Sequence, residues 1–267
     1  MPEKPSSCGR TVPATDLSGT ALFLDVDGTL LRIRATPDAV VADPSLVSLL
    51  LQLTGRLEGA LALVSGRSGD QLDRLFAPAR FAVAAEHGNW RRDGSGRVHQ
   101  LRRLPLPMAA YSAMRALVTA DTRLLLEVKD ASLALHYRRA SERRCELRRY
   151  MQRLAGALAP DHSLVNGKMV SELRPAGVNK GSAIAQFMRE PPFAGRRPVF
   201  VGDDLTDEDG FAVVNACGGV SAHVGRRKFT AARYQFSSVA AVRAWLEISL
   251  RELVGPTTIT GATVRGH

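Results

Sequence analysis

The stretch that decides the fold is "TALFLDVDGTLL", residues 20–31. An apolar run with the character of a buried strand breaks off at two carboxylates, Asp25 and Asp27, followed by Gly28 and Thr29. Charge left in an apolar core is costly, so a strand ending this way places its acids at a rim. Three more apolar runs end in the same manner: "GALALVSGRS" (59–68), "FAVAAEHGN" (81–89) and "RPVFVGDDLTDE" (197–208). Helical patterns such as "PSLVSLLLQLTGRL" and "GDQLDRLF" alternate with them. The alternation predicts an α/β fold, a parallel sheet covered by helices on both faces. Such sheets bind ligands beyond the carboxyl ends of their strands, where these polar clusters fall.

A different texture interrupts the chain over residues 104–174. Helix ("PMAAYSAMRALVTA"), two strands ("RLLLEVK", "SLALHYR"), a long helix ("SERRCELRRYMQRLAGALA") and two more strands ("HSLVN", "KMVSELR") follow one another. The dipeptide Asn166-Gly167 is a two-residue hairpin signal and predicts the last turn. An inserted α+β cap of order αββαββ is expected at 104–174, within a discontinuous core at 20–103 and 175–253. Pro105, Pro107, Pro175 and Gly177 mark the connectors, and residues 1–19 and 254–267 read as disordered tails.

Composition bounds the function. At 267 residues and 45% hydrophobic the chain can bury ordinary cores. No apolar run nears the ~18 residues of a membrane span, and the N-terminus lacks the layout of a signal peptide. Cys8, Cys145 and Cys217 are far apart and read as free thiols of a reducing cytoplasm. The net charge of +10 is diffuse apart from "YRRASERRCELRRYMQR", residues 137–153. Its arginines recur at helical spacing around Glu142 and Glu146, and a solvated helix face is the favoured reading over a nucleic-acid partner. Neither nucleic acid nor a membrane is expected as partner, and a monomer is.

The rim clusters make sense together. A strand-end D-x-D alone could be a turn or a cap. Here it shares the rim with Ser65 of "VSGRS", Lys180 of "VNKGSAI" and the acids of "VGDDLTDED". Carboxylates at such a crevice suit a hard cation such as Mg²⁺, which lets an anionic nucleophile approach a phosphate ester. Asp25 can attack phosphorus to form an aspartyl phosphate, and Asp27 can protonate the leaving alcohol and later activate water. Thr29 and Ser65 offer hydroxyls to the phosphoryl oxygens, and Lys180 screens the charge on Asp25.

These motifs, "DVDGT", the Ser of "SGR", a Lys and "GDD", resemble the haloacid dehalogenase-like phosphatases. That resemblance implies a Rossmann-like core with Asp25 as nucleophile and Asp27 as general acid/base. It also implies Mg²⁺ held by Asp25, the backbone carbonyl of Asp27 and Asp203, with Asp204 and Asp207 in support.

The insert carries the specificity. Alternation places Leu124, Leu126 and Val128 on one face of the first cap strand, with Glu127 and Lys129 on the other. The next strand sets Leu133, Leu135 and Tyr137 against His136 and Arg138, and the last hairpin puts Lys168, Val170 and Glu172 on one parity. The mixed-charge face either meets water or closes over the crevice, where it would read sugar hydroxyls. The wider set "EHG", "EVKDASLALHYR", "SELRPAGVNKGSA" and "GDDLTDEDGF" is similar to the trehalose-phosphatase family, over about residues 22–246. The resemblance implies hydrolysis of trehalose 6-phosphate, supplied by a separate synthase. It also implies that Glu127, Lys129, His136, Arg138 and Glu172 bind the sugar, with Gly66, Arg67 and His87 at the rim. Other readings stay open at single residues. Arg67 also reads as a structural fork to a carboxylate, His87 as a strand-end cap, Glu127 and Glu172 as surface acids, and Asp207 as a helix cap. The competing functions are a phosphatase for another sugar phosphate, a mutase, and a silent sugar-phosphate sensor.

Overall fold

The computed structural model describes residues 12, 16–34, 40–100, 104–129, 132–227 and 229–254. Its strands, in chain order, are β1 (Thr20–Leu24), β2 (Leu61–Val64), β3 (Ala82–Ala85), β4 (Trp90–Arg92), β5 (Val98–Gln100), β6 (Leu125–Val128), β7 (Leu133–His136), β8 (His162–Gly167), β9 (Val170–Pro175), β10 (Arg197–Gly202), β11 (Val220–Val224) and β12 (Tyr234–Phe236). The helices are α1 (Pro44–Arg56), α2 (Gly69–Leu75), α3 (Met108–Ala120), α4 (Arg144–Ala157), α5 (Lys180–Phe187), α6 (Glu208–Ala216) and α7 (Val239–Val254).

Two sheets form. The larger has the order β12-β11-β10-β1-β2-β3-β4-β5, parallel through β3 and antiparallel at β4 and β5. All five residues of β1 are buried, as expected of a central strand covered on both faces. Phe23 packs beside Phe187 of α5 and Phe193, with ring centroids 5.9 and 5.5 Å away. Strands β4, β5, β11 and β12, which the motif reading did not single out, complete this sheet. Most span only three residues, too short for a periodic signal.

The smaller sheet is antiparallel with order β6-β7-β9-β8 and its own apolar cluster, in which Leu133, Leu135, Tyr137 and Leu173 meet Met114 of α3 and Leu147 and Met151 of α4. Leu124 and Leu126 join that cluster as the alternation predicts, but Val128 is 48% exposed on the edge strand. The last hairpin also differs from expectation. Gly167 pairs with Val170, so the two-residue turn is Lys168-Met169, with Met169 at φ 63°, and not Asn166-Gly167. Gly167 serves a close approach instead: a Cβ there would lie 2.9 Å from Asp204 Oδ2 of the larger sheet's rim. The basic stretch begins as a 3₁₀ turn, Arg138–Arg143, before α4. Within it Arg143 pairs with Glu146 and Asp121, while Arg148 donates to the Tyr137 hydroxyl and the Gly167 carbonyl. Most of the two expected tails lies outside the described residues; within the first, Leu17 is buried in the core.

Candidate active site

Register assembles the rim. Leu24 of β1 lies opposite Val201 of β10 and Leu63 of β2, so Asp25, Gly202-Asp203 and Val64-Ser65 leave the sheet at one level. The chain runs from β1 toward β3 and returns to β10 on the other side, which makes the β1–β10 crevice a topological switch point.

Asp25 is buried there. Its Oδ1 accepts from Lys180 Nζ at 2.7 Å and its Oδ2 from Thr29 Oγ1 at 2.9 Å. Lys180 is the first residue of α5, fixed by the N-cap Asn179, whose side chain accepts from Ser182 N at 2.7 Å. The same ammonium donates to Asp207 Oδ1 at 2.6 Å, while Asp207 Oδ2 accepts from the backbone N–H groups of Asp203 and Asp204, both at 2.8 Å. Asp207 therefore caps its own turn and also holds the lysine. Burial pushes the Asp25 carboxyl well above the usual carboxylate range; Lys180 opposes this, and Asp207 and Asp203 reinforce it. Burial likewise lifts Asp203 to about 6 against the attraction of Lys168.

Asp27 stands half-exposed beside them, its carboxylate accepting from Arg67 Nε at 2.6 Å and Nη2 at 2.8 Å. The reading of Arg67 as a fork to a carboxylate thus holds, and a bidentate pair fixes the plane of the acid. Ser65 Oγ accepts from Arg67 N at 3.2 Å, which ties the "SGR" turn together.

The cap's polar face closes on this rim. Glu127, Lys129, His136, Arg138, Lys168, Val170 and Glu172 line one cavity with Asp25, Asp27, Ser65, Gly66, Arg67, His87, Lys180, Asp203 and Asp204. Lys129 Nζ donates to Glu172 Oε1 at 2.9 Å and to the Gly66 carbonyl at 2.6 Å. Ser132 Oγ donates to the same Glu172 oxygen at 2.7 Å, and His87 Nε2 meets Glu172 Oε2 at 2.9 Å. Burial alone would raise Glu172, but Lys129 and His87 outweigh it and hold the carboxyl well below its ordinary value. Burial lowers His87 to about 4 despite Glu172, so the neutral ring donates from Nε2. Neither Glu172 nor His87 is a plain surface group or a mere cap. Burial would also raise Glu127, yet His136, Lys129 and Gln71 together bring it down to about 2. Arg138 Nη2 reaches the Lys168 carbonyl at 3.2 Å at the exposed end of the face.

The donor set fits a hard divalent cation. Ligand atoms of Asp25, Asp203 and Asp207 lie within 4.8 Å of one another, all three residues buried. The turn lysine Lys168 reaches Asp203 Oδ2 at 2.5 Å, which shows how short of positive charge that corner is. Gly28, at φ +91°, lies so close to the Asp203 carboxylate that a Cβ would overlap it. Of the three acids Asp207 is the most fully engaged, its Oδ1 held by Lys180 and its Oδ2 by two backbone N–H groups, whereas each oxygen of Asp25 accepts from a single side chain and Asp203 accepts from Lys168 through Oδ2.

Comparison with known proteins now bears on this geometry. The Trehalose-phosphatase family model matches residues 23–240. A probable trehalose-phosphate phosphatase of Sinorhizobium fredii is 47% identical over 216 residues, 79% of this chain and 80% of that protein. The chain belongs to the trehalose-phosphatase family. A second trehalose phosphatase relative, the trehalose-6-phosphate phosphatase of Escherichia coli, is 43% identical over 85% of each chain. The C-terminal domain of the C. albicans trehalose-6-phosphate phosphatase superposes with a TM-score of 0.81 at 23% identity, covering 92% of this chain and 99% of that one, a likeness of fold. The fold is the haloacid dehalogenase-like one, and the trehalose-phosphatase match encloses every rim and cap residue described above.

Two contributors to the site, Gln71 and Ser132, escaped the sequence reading, and a third, Lys168, was placed on the cap's polar parity without a role. Gln71 of α2, Ser132 before β7 and Lys168 of the cap turn each hold a site carboxylate: Glu127, Glu172 and Asp203 respectively. Lys168 lines the cavity with Val170 and Glu172, as the parity of the last hairpin places it. Gln71 and Ser132 act across elements far apart in sequence, and nothing local marks them. Among the described residues no helix is long and apolar enough to cross a membrane.

Proposed function

We propose that this protein, a phosphatase of the trehalose-phosphatase family, hydrolyses trehalose 6-phosphate to trehalose and phosphate, with Mg²⁺ as its ion. The observation that carries the reading is the meeting in one cavity of two unlike sets of groups. One is the buried Asp25–Lys180–Asp203 cluster, suited to a phosphoryl group. The other is the ordered face of Glu127, Lys129, His136 and Glu172, whose donors and acceptors suit the hydroxyls of a sugar. The names borne by the relatives at 43% and 47% identity point to the same substrate.

In this reading Asp25 Oδ2, already aligned by Thr29, attacks phosphorus and the ester oxygen leaves. Asp27 gives that oxygen its proton, then takes one from the water that releases phosphate from Asp25. Lys180, itself held by Asp207, favours the ionised Asp25 and keeps it aimed through the first transfer. Asp25, Asp203 and the Asp27 carbonyl would hold Mg²⁺, which supplies charge neutralisation at the phosphoryl oxygens. The segment 104–174 acts as the cap, excluding bulk water while Glu127, Lys129, His136, Arg138 and Glu172 hold the sugar, with Gly66, Arg67 and His87 at its edge.

The test is phosphate release from trehalose 6-phosphate, sucrose 6-phosphate, mannosylglycerate phosphate and glucose 6-phosphate, with Mg²⁺ and with chelator. The reading predicts preference for trehalose 6-phosphate and dependence on the ion. Equal or better turnover of another ester would overturn the substrate assignment.

A further inference from the structure

Gln71 stands apart from the rim chemistry yet is tied to both halves of the site. It is the third residue of α2, the helix that follows "SGR" after the N-cap Ser68. Its Oε1 accepts from Ser68 N at 2.9 Å, and its backbone N–H reaches Ser68 Oγ at 3.3 Å, a capping box. Its Nε2 is then left to donate, and it does so across to the cap, to Glu127 Oε1 at 2.9 Å. The other oxygen of Glu127 meets His136 Nε2 at 2.9 Å. One amide thus joins the turn that carries Ser65 and Arg67 to the cap residue whose carboxylate faces the cavity.

We infer that Gln71 is a positioning residue for substrate selection: it fixes the Glu127 carboxylate against the core, so that affinity for the sugar, more than chemistry at phosphorus, runs through this contact. The inference rests on the reading of Glu127 as a sugar-binding group. The geometry explains why an amide is needed. A glutamate at position 71 would serve the capping box equally well, since the oxygen that accepts from Ser68 is retained. It would lose the donor and face Glu127 with a like charge. Helix α2 stays intact while the link between core and cap breaks, which separates positioning from folding.

The experiment is a double-mutant cycle with Gln71→Glu and Glu127→Gln, assayed on trehalose 6-phosphate and on p-nitrophenyl phosphate, an ester with no sugar to read. In the wild-type background Gln71→Glu is expected to raise KM for trehalose 6-phosphate about tenfold more than KM for the aryl ester, the scale of one hydrogen bond to a charged group. In the Glu127→Gln background it is expected to add no such penalty, because the double exchange restores one donor and one acceptor with their roles reversed. Equal penalties in both backgrounds, or equal losses on both esters, would overturn the inference. Should the wild-type protein show no preference for trehalose 6-phosphate, the functional reading fails by itself. The same cycle read in melting temperature then decides the contact: Gln71→Glu lowers Tm only where Glu127 is present if the link is real, and equally in both backgrounds if it is not.

Discussion

Arg67 grips Asp27 from two nitrogens, at 2.6 and 2.8 Å, and so one strand-end turn orients the acid supplied by another. The fork holds Asp27, which is partly open to solvent, in one orientation, as the proton transfer proposed for it requires. A lysine in place of Arg67 offers a point charge without the fork. Arg67→Lys is expected to lower kcat on trehalose 6-phosphate by about tenfold, and Asp27→Asn by about 10² to 10⁴, the usual contribution of a positioned acid/base. Steady-state kinetics check both. A lysine variant with wild-type kcat would show that the fork does not orient the acid.

Lys180 lies between two buried carboxylates, Asp25 at 2.7 Å and Asp207 at 2.6 Å. Removing one member of a buried ion cluster strands the others, at a cost of about 3–5 kcal/mol. Lys180→Met is expected to lose stability on that scale in urea denaturation and to lose turnover as well. Asp207→Asn, which keeps one carbonyl oxygen for a hydrogen bond, should cost less. A Lys180→Met protein as stable as the wild type would contradict the account of this cluster.

The strand-end motifs were legible because each one is short, contiguous and at the end of an apolar run. Asp25, Asp27, Ser65, Lys180 and Asp203 all meet where alternation of strand and helix sends them. The parity of the cap strands was legible too, since Glu127, Lys129, His136 and Glu172 line one cavity. Two kinds of feature were not. The Asn166-Gly167 turn signal competed with a tertiary demand, the approach of Gly167 to Asp204, and the turn moved to Lys168-Met169. The contacts of Gln71 and Ser132 depend on how the cap sits on the core and on how the cap strands pair. Val128 kept its alternation but lost burial, because β6 is an edge strand and its outer side has no neighbour.

The buried His87 gives stability a pH dependence of defined sign. Its folded-state pKa is about 4 against 6.5 for a free histidine, because burial disfavours the cation. Between those values the unfolded chain binds a proton that the folded protein refuses, so stability falls as pH drops from about 6.5 to about 4. The expected slope from this group is at most ~1.4 kcal/mol per pH unit. His87→Gln keeps a donor for Glu172 and removes the titrating ring. Urea melts at several pH values should show a shallower fall for the variant than for the wild type; identical pH profiles would contradict the assignment of a neutral ring.

Gly28 tests the ion site. An alanine there would have to adopt φ +91° and push its Cβ into the Asp203 carboxylate. Backbone strain of this kind costs about 1–3 kcal/mol. If the site takes Mg²⁺ as proposed, the ion is expected to raise the Tm of the wild-type protein, and Gly28→Ala is expected to lower Tm and to weaken that rise. If Mg²⁺ raises Tm by the same amount in both proteins, Asp203 does not hold the ion.

The central claim is that Asp25 carries the phosphoryl group between its two transfers. Acid quenching during turnover of trehalose 6-phosphate, followed by peptide mapping by mass spectrometry, measures this directly. The account predicts a phosphoryl group on the peptide containing Asp25, absent from Asp25→Asn, which should also be inactive. Phosphate found on another side chain, or an active Asp25→Asn protein, would contradict it.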